Sequence, residues 1–211
     1  MTKCFDSACQ RCRRLSDFLK EVKKKHPNYY CAPVPPFGEL STKLLIIGLA
    51  PGKHGANATG RPFTGDYAGI LLYRVLHRYG FSNLGEVSDA NDGLILQNCR
   101  ITNAVKCLPP DNKPTNEEIV NCNQFLSMEL QSMPPKSIMI TLGVVAHKAT
   151  LRGLGLKQVD YPFAHAAEYV LPDGRHLLSS YHCSRYNTQT GRLTEAMFDS
   201  VIRRARDYLD G

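Results

Sequence analysis

The sequence predicts an α/β fold in which a mainly parallel sheet is covered by helices on both faces. Short apolar runs typical of buried strands alternate along the chain with segments of helical periodicity. The chain has 211 residues, of which 43% are hydrophobic and 21% charged, so it is long enough for one well-buried core and short for two ordinary domains. We therefore expect a single domain that spans residues 1–211.

The first half of the chain predicts two helices and one strand. Apolar residues recur at helical spacing in residues 12–26, and the proline-rich residues 31–38 are expected to form an extended surface connection. Residues 43–50 (KLLIIGLA) contain an unbroken apolar run, which is typical of a strand buried on both faces. An amphipathic helix is predicted over residues 67–80, where Gly80 ends it.

The second half continues this alternation. Its predicted elements are strands at 99–105 and 137–143, helices at 114–133, 144–151 and 194–209, and a two-stranded hairpin at 169–182 whose second strand ends at His182. Thr115 and Glu118 form a capping-box pattern at the start of one helix, and Thr194 is the predicted cap of the last. In a parallel sheet the ligand lies beyond the carboxyl ends of the strands, and residues 48–66, 103–113 and 182–192 leave those ends.

The charge and hydropathy of the chain limit the classes of partner that it can have. The net charge of +7 and the isoelectric point near 9.0 favour a polyanionic partner. The charge pattern of the densest basic run, residues 20–26 (KEVKKKH), favours the solvated face of a helix. No apolar run is long enough for a transmembrane helix, and the first ten residues lack the features of a secretory signal, so we expect an intracellular, reducing location without a membrane.

Eight cysteines in such a setting indicate metal or redox chemistry rather than disulfides. Cys9 and Cys12 form a CxxC pair, and Cys107 and Cys122 lie far downstream. This set admits a structural zinc ion or an iron–sulfur cluster, and the spacing leaves both open. The other four cysteines show no paired spacing: Cys4, Cys31, Cys99 and Cys183.

The glycine-rich segment of residues 46–66 matches neither the P-loop pattern nor the dinucleotide-binding pattern. Its glycines permit close approach of a ligand to main-chain N–H groups, but a long connection that needs flexible turns would also use them. A second candidate is His182, which stands at a predicted strand end before a polar segment. A lone histidine is more often structural. The hypothesis that His182 is a functional donor therefore depends on its position at a strand end and on the polar residues that follow it.

Three motifs together resemble the family 5 (type b) uracil-DNA glycosylases, an iron–sulfur branch of the uracil-DNA glycosylase superfamily. They are residues 48–66 (GLAPGKHGANATGRPFTGD), 102–115 (TNAVKCLPPDNKPT) and 180–194 (SYHCSRYNTQTGRLT). The resemblance implies a three-layer α/β/α sandwich with a central four-stranded parallel sheet. It also implies a structural [4Fe–4S] cluster on Cys9, Cys12, Cys107 and Cys122.

The implied activity is base excision in DNA repair. The enzyme would remove uracil, and other deaminated bases such as hypoxanthine and xanthine, from double-stranded and single-stranded DNA, leaving an abasic site without lyase chemistry. The resemblance further implies a monomer of the cytoplasm or nucleoid, with a sliding clamp as a candidate partner. Two alternatives stay open: a family 4 enzyme with narrow uracil specificity, and a non-catalytic DNA damage-binding module on the same scaffold.

The resemblance also assigns roles to residues. The catalytic residues are Asp66 and Asn112, which would hold the attacking water, and His182, which would donate to uracil O2. The base-binding residues are Gly48, Leu49, Ala50, Phe63 and Asn103, with Phe63 as the stacking surface and Asn103 reading the Watson–Crick edge. Asp66 is needed because the four residues that follow the first strand, 48–51, offer no carboxylate.

The predicted DNA-contacting loop consists of Ser184, Arg185, Tyr186 and Asn187. It would enter the minor groove, where Arg185 or Tyr186 fills the space that the extruded base vacates. The sequence departs from the family pattern here, because Cys183 stands where related families often have proline and Tyr186 where glutamine is usual.

Overall fold

The computed structural model describes residues 5–211, and Cys4 lies outside them. One sheet contains β1 (Leu44–Gly48), β2 (Cys99–Asn103), β3 (Ile138–Leu142), β4 (Glu168–Val170) and β5 (His176–Ser180). The helices of the described residues are α1 (Arg13–Lys25), α2 (Ala56–Thr59), α3 (Tyr67–Arg78), α4 (Asn116–Ser132), α5 (Val144–Gly153), α6 (Arg185–Gln189) and α7 (Glu195–Asp210).

The strand order is β2-β1-β3-β5-β4. The first four strands in this order are parallel, as predicted, and β4 adds an antiparallel fifth strand at the edge. The four parallel strands that the resemblance implies are therefore present, and the sheet has one strand more. This fifth strand is the first strand of the predicted hairpin, which turns at residues 172–174, where Gly174 takes a positive φ of 80° and folds β4 back onto β5.

Helices cover both faces of the sheet, which confirms the three-layer prediction. Alternate residues of a strand point to opposite faces, so Leu44 and Ile46 of β1 pack with α3 and α7, whereas Leu45 and Ile47 pack with α4 and α5. All four side chains are buried. None of the helices within residues 5–211 has both the length and the apolar composition to cross a lipid bilayer.

Two predicted boundaries need correction. The second hairpin strand ends at Ser180 rather than His182, because Ser180 pairs with Leu142, the last residue of β3. Residues 31–38 are extended but are not a mere surface connection. Phe37 exchanges two main-chain hydrogen bonds with Ile101 and so covers the free edge of β2, and Val34, 2% exposed, donates to the carbonyl of Lys106.

Short helices occupy all three segments that the sequence analysis treated as loops. α2 lies within the glycine-rich segment, and α6 lies within the segment after His182. Ser184 caps α6 by accepting a hydrogen bond from the N–H of Asn187 at 3.4 Å, and one turn of 3₁₀ helix spans Pro110–Asn112. These one-turn helices have too few residues to show a helical repeat in the sequence.

A buried ionic network joins β2 to α4. The Nζ of Lys106 lies 2.7 Å from Oε1 of Glu129 and also contacts Oγ1 of Thr102, which itself donates to Oε1 of Glu129 at 2.9 Å. The Nε of Arg100 lies 3.0 Å from Oε2 of the same carboxylate. Glu129 therefore neutralises two cations in the layer between the sheet and α4.

We predict that Glu129→Leu destabilises the protein by about 3–5 kcal/mol, because it leaves Lys106 and Arg100 without their counter-charge. Urea unfolding monitored by circular dichroism measures the change. The matched control is Glu117→Leu, which removes an exposed carboxylate from the same helix and should change stability by no more than about 0.5 kcal/mol. A loss below about 1 kcal/mol for Glu129→Leu would contradict the prediction.

Candidate active site

A cavity of about 560 Å³ opens at the carboxyl edge of the parallel strands. The three segments predicted to meet there do meet. Nine of the predicted site residues line the cavity: Leu49, Ala50, Phe63, Asp66, Asn103, Asn112, His182, Ser184 and Arg185. The sheet extends slightly past its strand ends here, since Ala104 and Val105 donate main-chain hydrogen bonds to Gly48 and Leu49.

Three predicted residues lie beside the cavity rather than on its wall. Gly48 lies beneath it, and a Cβ at Gly48 would lie 2.5 Å from Oδ1 of Asn103 and 2.7 Å from Cζ of Phe63. Tyr186 is 71% exposed on α6, and Asn187 turns inward to donate from Nδ2 to the carbonyl oxygen of His182 at 2.8 Å. Asn187 thus supports the main chain of His182.

The surrounding residues fix the backbone conformation of Phe63. Its φ of 55° lies in the left-handed region, which a bulky residue rarely adopts. The hydroxyl of Tyr73 donates to the carbonyl of Pro62 at 2.6 Å, and a Cβ at Gly69 would overlap the carbonyl oxygen of Phe63. The ring of Phe63 faces that of His182, with centroids 5.9 Å apart and planes inclined by 25°.

Asn103 presents an unsatisfied acceptor. The residue ends β2, is 3% exposed, and its Oδ1 has no hydrogen-bond partner among the described residues. A buried polar atom without a partner is costly, and a ligand that donates a hydrogen bond would remove that cost. Asn103 is therefore suited to read a polar edge of a bound molecule.

His182 is a neutral imidazole. Burial lowers its pKa from 6.5 to about 4, because the charged form is poorly solvated in the cavity wall. Gly143, with a φ of 93°, lies close to the Cβ of His182. At neutral pH the ring can thus donate one hydrogen bond without carrying a charge.

Asp66 caps α3 and faces the cavity with the same carboxylate. Its Oδ1 accepts a hydrogen bond from the N–H of Gly69 at 3.3 Å, and Gly52 and Gly55 leave room for Oδ2, which a Cβ at either glycine would crowd. Burial raises the pKa of Asp66 above its ordinary value, although main-chain N–H groups of α3 partly oppose this. Capping of α3 alone would explain an aspartate at this position. Its place in the cavity wall is the observation that favours a catalytic role.

The sequence analysis missed one wall. Leu142, Gly143, Val144 and Val145 line the cavity where β3 passes directly into α5. β3 is a parallel strand with its carboxyl end at the same edge, so strand polarity alone would have predicted this wall. Lys53 and His54 also line the cavity and were not assigned a role.

The four cysteines predicted as ligands converge on a second, smaller cavity between α1, α4 and residues 105–107. This cavity is lined by Cys9, Cys12, Cys107 and Cys122 among other residues. Lys106 N–H donates to Sγ of Cys122 at 3.3 Å, and Asn121 Nδ2 lies 3.9 Å from Sγ of Cys12. Burial raises the pKa of the Cys107 thiol to about 12. Among residues 5–211, no three His, Cys, Asp or Glu side chains are grouped to hold a metal ion as they stand.

The sequence comparisons with known proteins agree on one superfamily. Residues 35–206 match the model of the uracil DNA glycosylase superfamily. A type-5 uracil-DNA glycosylase of Thermus thermophilus is 46% identical over 95% of this chain and 93% of its own length. One of Mycobacterium leprae is 44% identical over 95% of this chain and 91% of its own. The crystal structure of wild-type SMUG2 from Pedobacter heparinus shares the fold, with a TM-score of 0.51 and 14% identity over 81% of this chain and 76% of its own.

We predict that the His182 ring does not titrate between pH 5 and 8, because its pKa lies at about 4. Histidine Cε1–H NMR shifts measure this directly, and His182→Gln identifies the resonance. The unfolded chain binds this proton near pH 6.5, so the folded state should lose stability as the pH falls from about 6.5 to 4. A midpoint for His182 near 6.5 would contradict the prediction.

Proposed function

The chain belongs to the uracil-DNA glycosylase superfamily and, within it, to the type-5 family, and on that basis we propose that it is a DNA-repair enzyme that excises uracil. It hydrolyses the N-glycosidic bond and leaves an abasic site. The observation that carries the proposal is the meeting, in one cavity, of a stacking ring, an unpaired amide acceptor, a neutral histidine and a carboxylate. Because its substrate is DNA, we expect it to act inside the cell, at the nucleoid.

A base must leave the duplex stack before such a cavity can hold it. The ring of Phe63 would stack on the base, and Oδ1 of Asn103, which has no partner among the described residues, would accept from N3–H of uracil. The main chain of Leu49 and Ala50 approaches the base edge because Gly48 beneath them has no side chain. A cavity of about 560 Å³ also has room for purines, which supports activity on hypoxanthine and xanthine.

His182 stabilises the departing base. Negative charge develops on uracil O2 as the glycosidic bond breaks, and a neutral imidazole N–H donates to it without needing to transfer its proton. A preorganised donor of this kind typically contributes about 2.7–4 kcal/mol to transition-state stabilisation. The low pKa of His182 keeps the ring neutral over the whole physiological range.

Asp66 and Asn112 hold the attacking water on the sugar side. The ionised carboxylate of Asp66 orients the water and opposes the positive charge of an oxocarbenium-like transition state. Asn112 lines the same cavity and would add a polar side chain beside the water. The role of Asp66 does not require a strong base.

α6 engages the DNA. Ser184 and Arg185 line the cavity, and this supports a contact of Arg185 with the backbone of the extruded nucleotide. Tyr186, 71% exposed on the outer side of α6, is the better candidate to fill the vacated stack. An exposed aromatic ring beside the cavity also suits single-stranded DNA, whose bases stack on such rings.

A [4Fe–4S] cluster on Cys9, Cys12, Cys107 and Cys122 fits the donor set. Four thiols line one cavity, and N–H groups of Lys106 and Asn121 point at two of the sulfurs, as thiolate ligands require. When bound, the cluster would cross-link α1 to the core. The chemistry of base excision proceeds in the other cavity, and no step passes through these cysteines. A sliding-clamp partner and the monomeric state stay predictions.

Single-turnover excision from a uracil-containing duplex tests the function. We expect the wild-type enzyme to release uracil, and hypoxanthine and xanthine duplexes test the wider substrate range. Asp66→Asn should slow uracil release by about 10²–10³-fold, because the carboxylate charge is lost while the N-cap is kept, asparagine being an equally good cap. The thermal midpoint serves as the control for folding.

The pH dependence gives a second readout on the same variant. Asp66 must be ionised, and its pKa is raised, so the wild-type rate should fall as the pH drops through that raised pKa. Asp66→Asn should lack this part of the acid limb. A variant as fast as wild type would remove Asp66 from the mechanism, and an enzyme that binds uracil DNA but releases no base would be the non-catalytic module instead.

We predict that the purified chain absorbs in the visible blue and contains iron and acid-labile sulfide, because its four converging cysteines hold a cluster. Cys122→Ser should abolish the absorption band. Cys31→Ser is the matched control, since Cys31 does not line the cysteine cavity. Elemental analysis that finds zinc and no iron would overturn the prediction.

A further inference from the structure

One end of α1 reaches the mouth of the large cavity through a chain of aromatic contacts. His26 follows the last residue of α1, and its ring stacks on that of Tyr29 with centroids 4.5 Å apart. The hydroxyl of Tyr29 lies 2.9 Å from Nδ1 of His54, and His54 lines the cavity. The last turn of α1 and the cavity mouth are thus parts of one continuous surface.

This surface carries cations that the protein does not neutralise. Lys24 and Lys25 on the last turn of α1 are exposed, and Lys53 lines the cavity next to His54. Among the described residues, none of these three lysines takes part in an ion pair. The other two lysines of α1 have partners, since Lys20 lies 3.1 Å from Asp17 and Lys23 donates to the carbonyl of Tyr29. We call the surface formed by Lys24, Lys25, His26, Tyr29, Lys53 and His54 the α1 strip.

The helix dipole explains only part of the α1 strip. Cations on a last turn stabilise a helix by interacting with its carboxyl-terminal carbonyl groups. That reason covers Lys24 and Lys25, but it does not cover Lys53, which lies in the glycine-rich segment on the other side of the aromatic contacts. A shared anionic ligand accounts for all three lysines and for their position at the cavity.

We propose that the α1 strip binds phosphates of the DNA strand next to the nucleotide held in the cavity. The proposal rests on the proposed function, because it takes the cavity to hold an extruded base. Backbone phosphates must leave the cavity mouth on both sides of that nucleotide. Arg185 of α6 lines the cavity, and so do Lys53 and His54 of the glycine-rich segment, where the α1 strip begins. The exposed lysines would follow the strand outward from there.

The salt dependence of binding tests the proposal. Each lysine–phosphate contact that is lost lowers the slope of log affinity against log salt concentration by about 0.9. We therefore expect the double variant Lys24→Gln/Lys25→Gln to lower the slope by about 2 and to weaken binding at least about tenfold at 0.05 M salt. The probe is a fluorescent duplex with a tetrahydrofuran abasic-site analogue, which the enzyme cannot cleave, and anisotropy reports binding.

The chain offers a matched control at the opposite edge of the sheet. Lys43 and Lys136 are exposed and precede β1 and β3, so they lie at the amino ends of the parallel strands, away from the cavity. Lys43→Gln/Lys136→Gln removes the same charge and should keep the wild-type slope and affinity. An unchanged slope in the α1 variant would overturn the proposal, and so would equal losses in both double variants, which would show only an effect of net charge.

Failure of this proposal and failure of the proposed function give different results. If the α1 strip binds no phosphate, the wild-type enzyme still releases uracil. The two double variants then show the same slope of log affinity against log salt concentration. If the chain is not a glycosylase, no uracil is released by any form of the protein, whatever the salt slopes. Thermal midpoints of all variants establish that each is folded.

Discussion

The site depends on the close packing of three residues at the carboxyl edge of the sheet: Gly48, Asn103 and Phe63. Gly48 ends β1 and pairs with Asn103 at the end of β2, so the strand register itself brings the amide to the cavity. Any side chain at Gly48 would overlap both the Asn103 amide and the Phe63 ring. Phe63 in turn keeps its left-handed backbone because Tyr73 holds the carbonyl of Pro62 and Gly69 makes room for that of Phe63. A pocket of base size therefore follows from backbone approach, and the side chains only line it.

Burial shifts the pKa values of the two groups proposed for the chemistry in opposite directions. Burial raises the pKa of Asp66 and lowers that of His182, so each is pushed towards its neutral form. In the proposed mechanism the neutral form of His182 suffices, because its N–H can donate to uracil O2 as charge develops there, without the cost of a buried imidazolium. The proposed mechanism requires the charged form of Asp66, and the N–H groups at the start of α3 partly stabilise that form against burial. The position at the helix N-cap thus limits the rise in pKa that burial causes.

Much of this arrangement was predictable from the sequence, and the exceptions have physical causes. The long amphipathic helices and the apolar strands were predicted because their periodicity is a local property of the sequence. The polarity of the strands then predicted that Asp66, Asn103 and His182 lie at the carboxyl edge of the sheet. Their chemical roles came from resemblance to a family, since no spacing shows that Oδ1 of Asn103 lacks a partner. The hairpin of β4 and β5 was predicted, but the pairing of Phe37 with Ile101 and the position of β4 at the sheet edge depend on the order of strands in the sheet, which is a tertiary property. The contact of Tyr29 with His54 joins residues that no local pattern relates.

α1 extends from the cysteine cavity to the large cavity, so a cross-link at the cysteines would affect the position of both ends of the helix. The helix has 13 residues and is therefore about 20 Å long. Its amino end follows Cys9 and Cys12, while its carboxyl end meets His54 at the mouth of the large cavity through His26 and Tyr29. Between these ends Leu15, Leu19 and Val22 are buried against residues 105–108 and α4, which fix one face of the helix. A cross-link at the amino end would stop the helix from sliding along that face, since burial alone is weakly directional. The cluster would then serve DNA binding from a distance, by holding the other end of α1 in register with the glycine-rich segment.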